Sequence, residues 1–200
     1  MDLVVTGGIA TGKSTWRKLV QGLCPRIGQF DCDKAVHDLL TDREILESLK
    51  LLFGEKIFDS EGRSLNRTAL RRLVFSDEAS RRALEGILHP AVRKSFEEKR
   101  SSYFTTAPQG IFIADVPLFY ETKATYPHDL VVVVATTPET QLRRLSRRTD
   151  LGETEALSII HAQKPIMQKA LLADVVAWNE GPQGRLEEQV ALLLESLPSV

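Results

Sequence analysis

Residues 3–15 read Leu3-Val4-Val5-Thr6-Gly7-Gly8-Ile9-Ala10-Thr11-Gly12-Lys13-Ser14-Thr15. Gly7, Gly12, Lys13 and Ser14 satisfy the pattern G-x-x-x-x-G-K-[ST] of a phosphate-binding loop, and the apolar run before them predicts a strand. Glycines let backbone N–H groups turn towards phosphate oxygens, the lysine can neutralise the β- and γ-phosphates, and the Ser14 hydroxyl can reach a magnesium ion. A helix predicted from about Lys13 to Leu23 points its positive end at the same anion. The stretch therefore predicts a nucleoside triphosphate site, in preference to a glycine-rich turn without a ligand.

Length and composition favour one domain, with room for an inserted subdomain. The chain has 200 residues, with 26 basic against 27 acidic side chains, which gives no overall support for binding to nucleic acid or to a membrane. Cys24 and Cys32 are too few for a disulfide framework and lack the spacing of metal ligands. No apolar run approaches the ~20 residues of a membrane span, and no signal-peptide pattern precedes the first strand. We therefore expect a cytoplasmic enzyme that is a monomer or a weak homo-oligomer.

Further apolar segments predict a parallel sheet with helices between its strands. The later strands are predicted at Arg26–Asp31, Ile111–Asp115, Leu130–Thr136 and Asp174–Trp178. The segment from Leu130 is almost wholly apolar, as in a parallel strand that is covered on both faces. Because helical patterns lie between the strands, and a last one covers Gly184–Leu197, we expect an α/β sheet with right-handed crossovers.

The long interval between the second and third strands is predicted to be mostly helical. Helices are expected at Asn66–Phe75, Asp77–Leu88 and Pro90–Ser101, because each has a residue that favours a helix start. The pair His89-Pro90 is interpreted first as a helix break and second as a point where His89 contacts a substrate. An insertion of this size is well placed to bind an acceptor.

The segment Thr137–Gln163 is polar, basic and helical, and it lies where a mobile lid could close over the phosphates. Its arginines are Arg143, Arg144, Arg147 and Arg148. Guanidinium groups suit phosphate oxygens, and phosphoryl transfer needs cations that offset the charge on the moving group. We favour this function for one or two of the arginines. The alternative is a solvated face that pairs with Asp150, Glu153 and Glu155.

Two predicted strands end in acidic residues, at the edge where open α/β sheets bind ligands. The run Asp31-Cys32-Asp33 stands at the carboxyl end of the second predicted strand. If the two aspartates are extended and point to opposite sides, we expect one to face the cleft and the other to support the turn. A carboxylate there could accept a proton from an attacking hydroxyl, or it could cap a helix that begins near Lys34. Asp115 ends the third strand in the Walker-B position, near a magnesium ion or its waters. A hydrogen bond to the turn at Pro117 is the alternative.

Two further segments could touch a ligand. The third strand is followed by Pro117-Leu118-Phe119-Tyr120-Glu121, whose apolar side chains could line a substrate wall or an ordinary core. The last strand is followed by Asn179-Glu180-Gly181, which could present backbone and amide groups to a nucleobase, although Asn and Gly are also ordinary turn formers.

An ordered set of motifs runs through nearly the whole chain. The motifs are the loop Thr6–Thr15, Asp31-Cys32-Asp33, Leu88-His89-Pro90, Asp115-Val116-Pro117-Leu118-Phe119-Tyr120-Glu121, Glu139-Thr140-Gln141-Leu142-Arg143-Arg144, Ala162-Gln163, and Ala173-Asp174 with Asn179-Glu180-Gly181. This set resembles the dephospho-CoA kinases. The loop is common to many families, whereas the D-x-D, L-H-P and V-P-L-[FL]-x-E elements in this order are much more specific.

The resemblance implies transfer of the ATP γ-phosphate to the ribose 3′-hydroxyl of dephospho-CoA, the last step of coenzyme A synthesis. It implies a P-loop NTPase fold, three-layer α/β/α with a five-stranded parallel sheet, related to the nucleoside monophosphate kinases. The core would comprise residues of about 1–33, 108–136 and 164–200. A helical CoA-binding insertion would cover about 34–107, and a lid about 137–163. ATP and dephospho-CoA would be the partners, and Mg²⁺ the metal cofactor.

The resemblance also implies roles for individual residues. Asp33 would be the catalytic base, and Lys13 and Arg144 would be catalytic cations. Ser14 would hold the magnesium ion. The residues expected to bind the nucleotide are Gly8, Ile9, Ala10, Thr11, Gly12, Lys13, Ser14, Thr15, Arg144, Arg148, Asn179 and Gly181. Those expected to bind the acceptor are Asp33, His37, Arg67, His89, Asp115 and Leu118.

The chain departs from the usual family pattern on the acceptor side. His37 stands where the family usually has an arginine, four residues after the second aspartate. Lys34-Ala35 replaces a more usual apolar pair, and Phe119-Tyr120 replaces Leu-Leu or Leu-Phe. If His37 reaches an acceptor phosphate, its charge would vary near neutral pH, unlike that of an arginine.

Overall fold

The computed structural model describes residues 1–59, 61, 64–122, 125–148 and 152–197. The chain divides into two units, the first comprising Met1–Asp31 with Arg100–Val200 and the second Cys32–Lys99. The strands are β1 (Asp2–Gly7), β2 (Gly28–Asp31), β3 (Phe112–Asp115), β4 (Leu130–Ala135) and β5 (Val175–Trp178). The helices are α1 (Lys13–Leu23), α2 (Cys32–Leu39), α3 (Arg43–Phe53), α4 (Arg67–Ser76), α5 (Glu78–Thr106), α6 (Pro138–Arg148), α7 (Glu153–His161), α8 (Ile166–Leu171) and α9 (Gln183–Ser196), with a 3₁₀ turn at Glu55–Ile57.

The first unit contains a five-stranded sheet in the order β2-β3-β1-β4-β5. β1 is central, and its Val4 pairs with Ala114 of β3 and with Val131 of β4. Because every strand pair is parallel, all the carboxyl ends lie at one edge of the sheet, where the loop after β1 begins. The predicted five-stranded parallel sheet is confirmed, and each strand after the first is one or two residues shorter than predicted.

Helices cover both faces of this sheet. One face packs Leu3, Val5, Val132 and Val134 against Trp16 and Val20 of α1 and Leu186 and Val190 of α9. The other face packs Val133 and Ala135 against Ile166 of α8, and there Phe112 contacts two aromatic rings of α5. Successive side chains of a strand point to opposite faces of the sheet, so neighbouring residues of β4 enter different cores. The predicted three-layer α/β/α arrangement is therefore confirmed.

The second unit is helical and has its own apolar core, formed by Leu49, Phe53, Ile57, Phe58 and Leu70. Side-chain caps fix where its helices begin. Asp42 accepts the N–H groups of Glu44 and Ile45 at the start of α3, and Asn66 accepts that of Ala69 at the start of α4. Each cap satisfies N–H groups that have no partner within the helix.

The predicted helix break at His89-Pro90 is wrong. α5 runs from Glu78 to Thr106 without interruption and contains Pro90. The proline removes one backbone hydrogen bond, but the buried side chains Leu88, Val92 and Phe96 continue along one helical face on both sides of it. This packing is stronger than the local breaking signal. None of the described helices, α5 included, combines the length with the apolar sequence that membrane crossing requires.

The prediction that Asp31 and Asp33 point to opposite sides of a strand is also wrong, because residues two apart on a strand share a face and because the two residues do not share a strand. β2 ends at Asp31, and α2 begins at Cys32, so that Asp33 lies in the first turn of a helix. The direction of its side chain is therefore set by helical rotation rather than by the pleat of a strand. An acidic residue in a first turn interacts favourably with the helix dipole.

Two leucines of α3 allow a matched test of the second core. The side chain of Leu49 is fully buried, whereas Leu51 is 90% exposed. We expect Leu49→Ala to lower the free energy of unfolding by about 2–5 kcal/mol, because it removes core contacts and leaves a cavity. Leu51→Ala makes the same change in helix propensity at an exposed position and should alter the free energy of unfolding by less than ~0.5 kcal/mol. Chemical denaturation followed by circular dichroism measures both, and equal losses would contradict this account of the core.

Candidate active site

The loop between β1 and α1 has a backbone that requires glycine at two positions. Gly12 has a φ of 98°, in the left-handed region, and a Cβ there would overlap the side-chain amide of Asn179. A Cβ on Gly7 would overlap the carbonyl of Val134. Ala10 is also left-handed, with a φ of 59°, which costs an alanine roughly 1–2 kcal/mol. Contacts from outside the loop must therefore hold this conformation.

Ile9, near the apex of the loop, is held at both of its backbone polar groups. Gln141 of α6 donates from Nε2 to the Ile9 carbonyl at 2.8 Å. Gln163, beyond the end of α7, accepts the Ile9 N–H at Oε1, also at 2.8 Å. The two amide side chains thus satisfy both backbone polar groups of Ile9. The segment predicted as a lid contributes both of them.

The carbonyl of Thr11 is the second anchor of the loop. It accepts from Nδ2 of Asn179 at 2.7 Å and from Nη1 of Arg144 at 3.4 Å. Arg144 also donates from Nη2 to the backbone carbonyl of Asn179 at 2.9 Å. Asn179 and Arg144, both predicted site residues, are therefore brought together at the loop.

The start of α1 supplies the groups expected to meet phosphate. Lys13 is half-buried, and its Nζ lies 3.5 Å from the carbonyl of Gly8. Ser14 is exposed in the first helical turn. The N–H groups of that turn have no partners within the helix, and the helix dipole adds positive charge at the same end. This end of α1 is suited to an anion.

Asp31 and Asp115 lie next to each other, because they are paired residues of neighbouring strands. Arg17 of α1 offsets their repulsion. Its Nη1 donates to Asp31 and, at 2.9 Å, to Oδ2 of Asp115. The alternative for Asp115, a hydrogen bond to the turn at Pro117, is wrong, since within the described chain Oδ2 accepts from Arg17 and Oδ1 has no hydrogen-bonding partner.

Burial raises the pKa of the Asp115 carboxyl, because a charge is less stable away from water. Lys13 and Arg17 lower this pKa through their positive charge, and Asp31 raises it through its negative charge. The buried oxygen Oδ1 is thus a free acceptor beside the loop. It can accept from a water molecule bound to a cation.

The side chains near the loop limit how a metal ion could be bound. In the ranges that the structure describes, no group of three or more His, Cys, Asp or Glu side chains could hold a metal ion. A magnesium ion would therefore depend on the Ser14 hydroxyl, on Oδ1 of Asp115 through water, and on the oxygens of a bound phosphate. Oxygen ligands that include waters and phosphate suit magnesium.

The remaining predicted lid arginines do not share the position of Arg144. Arg143 donates to the hydroxyl of Thr140 at 2.8 Å. Arg147 and Arg148 are exposed at the end of α6. Asp150, named in the alternative of a solvated paired face, lies outside the described residues.

Glu180 fixes the turn that follows β5. Its carboxylate accepts the hydroxyl of Thr136, the N–H of Thr137 at 2.8 Å and the hydroxyl of Thr140 at 3.2 Å. The bond from the Thr136 hydroxyl is the main reason that the pKa of Glu180 falls to about 2, with the Thr137 N–H next. This carboxylate joins the start of α6 to the turn that carries Asn179.

The residues predicted to bind the acceptor lie in both units. Within the second unit, Arg67 donates from Nη1 to Nδ1 of His37 at 2.6 Å and from Nη2 to the His37 carbonyl at 3.2 Å. The structure thus brings His37 and Arg67 together. His89 is exposed on α5, and in the first unit Leu118 is 41% exposed in the turn after β3.

Sequence reasoning missed the roles of several residues. Gln141 and Gln163 stand within motifs that carry the family resemblance, so a signal for them was present. Arg17 lies in no motif, and its partners are carboxylates on two other strands. Lys169 of α8 is fully buried, donates to the Gly7 carbonyl at 3.0 Å and pairs with Glu121 at 2.6 Å.

A family model described as CoaE, dephospho-CoA kinase, matches residues 2–184 of the chain. The chain belongs to the dephospho-CoA kinase family. The predicted family, the predicted class of enzyme and the predicted phosphorylation of dephospho-CoA by ATP are confirmed by this membership.

Similar proteins agree with this membership. Proteins described as dephospho-CoA kinase from Listeria monocytogenes and Bacillus cereus are 35% and 34% identical to this chain, and each alignment covers 96% of this chain and 94% of theirs. A crystal structure of TT1252 from Thermus thermophilus is 30% identical, has a TM-score of 0.83, and is matched over 100% of this chain and 98% of that one. A dephospho-CoA kinase from Campylobacter jejuni, at 23% identity, shares the fold with a TM-score of 0.65, over 97% of this chain and 95% of that one.

The low pKa of Glu180 predicts how its contribution to stability depends on pH. The pKa is about 2 in the folded protein against 4.5 ordinarily, so the ionised carboxylate stabilises the fold above about pH 4.5, and this stabilisation is lost as the pH falls towards 2. The thermal midpoint of Glu180→Gln should therefore lie below that of the wild type by a constant amount between about pH 7 and 5, and the difference should shrink below that range. Glu187→Gln, at an exposed position of α9, is the control. A difference in thermal midpoint as large at pH 3 as at pH 7 would contradict the assignment, because part of the stabilisation should already be lost one pH unit above the folded pKa.

Proposed function

We propose that this dephospho-CoA kinase transfers the γ-phosphate of ATP to the ribose 3′-hydroxyl of dephospho-CoA and releases coenzyme A and ADP. The family match over residues 2–184 carries this proposal. The anchored loop supports its donor half, because loop carbonyls are bound by side chains from elsewhere in the chain and because Ser14 is exposed beside a half-buried Lys13 at the start of α1.

The donor half of the site is assigned to the loop and its supports. Backbone N–H groups of Gly8–Thr15 would hold the phosphates of ATP, and Lys13 would neutralise the β- and γ-phosphates. Arg144, already at the loop, would offset the charge of the moving phosphoryl group, with exposed Arg148 approaching from the end of α6. Asn179 and Gly181 would lie near the adenine.

Magnesium fits the oxygen donors at this end of α1. Ser14 would hold the ion, and the free oxygen of Asp115 would accept a hydrogen bond from one of its waters. When bound, magnesium withdraws charge from the β- and γ-phosphates. Arg17 keeps Asp115 oriented for this contact and prevents Asp31 from repelling it.

The acceptor half is assigned on the family resemblance. Asp33, in the first turn of α2, would accept the proton of the attacking 3′-hydroxyl as its oxygen bonds to the γ-phosphorus. The bond from that phosphorus to the β–γ bridging oxygen breaks, and ADP leaves. The other acceptor contacts are assigned to His37, Arg67, His89, Asp115 and Leu118. The paired His37 and Arg67 would present a guanidinium group to acceptor phosphate.

The organisation of the chain is proposed on the same basis. The helical insertion, about 34–107, would bind the CoA portion, and the lid, about 137–163, would close over the phosphates. Gln141 and Gln163 support the lid assignment, since each joins that segment to Ile9 of the loop. The enzyme would be cytoplasmic, a monomer or a weak homo-oligomer, and would bind neither nucleic acid nor membranes.

An acceptor assay tests the proposed function directly. The purified protein with ATP and Mg²⁺ is offered dephospho-CoA, nucleoside monophosphates and gluconate in parallel, and products are separated by chromatography. We expect rapid formation of coenzyme A and little product from the other acceptors. Phosphorylation of another acceptor without dephospho-CoA would assign the scaffold to a different small-molecule kinase. Tight nucleotide binding without any acceptor would assign it to a nucleotide-dependent switch.

Asp33→Asn tests the proposed base. Because the amide cannot accept the hydroxyl proton, kcat should fall about 10²–10⁴-fold, while the Kd for ATP should change little. Asp38→Asn, an exposed position on the same helix, is the matched control and should retain kcat. Turnover in the steady state and ATP titration by calorimetry measure the two quantities. Weakened ATP binding with unchanged kcat would instead give Asp33 a role in nucleotide binding.

A further inference from the structure

Lys169 occupies a position that is rare for a lysine. Its side chain has 0% exposure, and its ammonium group donates to the Gly7 carbonyl and pairs with the Glu121 carboxylate. Burial lowers the pKa of this ammonium, and its bond with Glu121 raises it. A buried charge has a desolvation cost that only close partners offset. The two partners belong to different segments, so the charge joins them.

Glu121 extends this junction to the turn after β3. Its Oε1 also accepts the N–H of Lys164 at 2.9 Å. The N–H groups of Glu121 and Thr122 both donate to the Leu118 carbonyl, at 3.1 and 3.0 Å. One carboxylate therefore ties the turn that carries Leu118 to the segment that precedes α8.

Gly7 is the point where this junction reaches the phosphate-binding loop. The peptide bond is planar, so a fixed Gly7 carbonyl also fixes the direction of the Gly8 N–H. The Val134 carbonyl of β4 leaves no room for a side chain on Gly7. An apolar residue at position 169 would leave the Gly7 carbonyl and the Glu121 carboxylate without this donor, which is costly for buried groups.

We propose that Lys169 is a positioning residue for phosphoryl transfer. Its ammonium group holds the first glycine of the donor loop against the turn at Leu118–Thr122, and so keeps the donor phosphates aligned with the acceptor side of the site. This inference rests on the proposed function, in which Leu118 contacts the acceptor. Lys169 acts through Gly7 and Glu121 and does not itself touch the reacting atoms.

Lys169→Met tests the role, because methionine keeps an unbranched apolar stem and removes the N–H donors. We expect kcat to fall about 100-fold, the effect of a small misalignment of reacting groups. The Kd for ATP should change by less than about tenfold, since the anchors at Ile9 and Thr11 remain. The variant Lys169→Met with Glu121→Gln removes both charges, while the introduced side-chain amide can still accept the Lys164 N–H through its oxygen. This double variant should recover thermal stability but not kcat.

Lys164→Met is the matched control, since it removes a neighbouring positive charge and keeps the backbone N–H that bonds Glu121. Its kcat should stay within about fivefold of the wild type. All variants are assayed at a temperature where circular dichroism shows them folded. A folded double variant with kcat near the wild type, or a loss confined to ATP binding, would overturn the proposal. If the wild type uses another acceptor, the proposed function fails, and the same kcat ratios with that acceptor still test Lys169.

Discussion

A loop that binds phosphate through its N–H groups must turn its carbonyl groups away from the ligand, and those carbonyls then need donors of their own. In this kinase the donors come from side chains far along the chain. Lys169 donates to the Gly7 carbonyl, and Gln141 donates to the Ile9 carbonyl. Asn179 and Arg144 both donate to the Thr11 carbonyl. The segments after β4 and β5 and the helix α8 therefore support the loop that is proposed to hold the donor phosphates, although most of their residues would never touch ATP.

A second constraint lies on the other side of β1. The pairing of β2 with β3 places Asp31 opposite Asp115, and two neighbouring carboxylates repel each other. Arg17 donates to both carboxylates, and its positive charge offsets their repulsion in this register. The sheet order and the charge balance of the site are thus linked, because β3 lies between β2 and the strand that leads into the loop.

Local patterns in the sequence were sufficient for the sheet, the loop, α1 and the start of α4 at Asn66, but they did not reveal α3 or its cap Asp42. They were insufficient where distant packing outweighed a local signal. Pro90 is a strong breaking signal, yet the buried row of Leu88, Val92 and Phe96 keeps α5 continuous. Asp33 looked like the end of a strand, but α2 begins one residue earlier. The partners of Lys169 and Arg17 were also beyond prediction, because each pairs with residues that are close only after the sheet has formed.

The contact between Gly12 and Asn179 restricts which substitutions either position can accept. The amide of Asn179 occupies the space that any side chain at position 12 would need, and it also binds the Thr11 carbonyl. Neither residue can be enlarged alone. A smaller residue at 179 would open the space and remove a donor from the loop in the same step. Substitution at either position therefore gives a less stable loop, and because Gly12 has a φ of 98°, a smaller residue at 179 would not by itself admit a side chain at position 12.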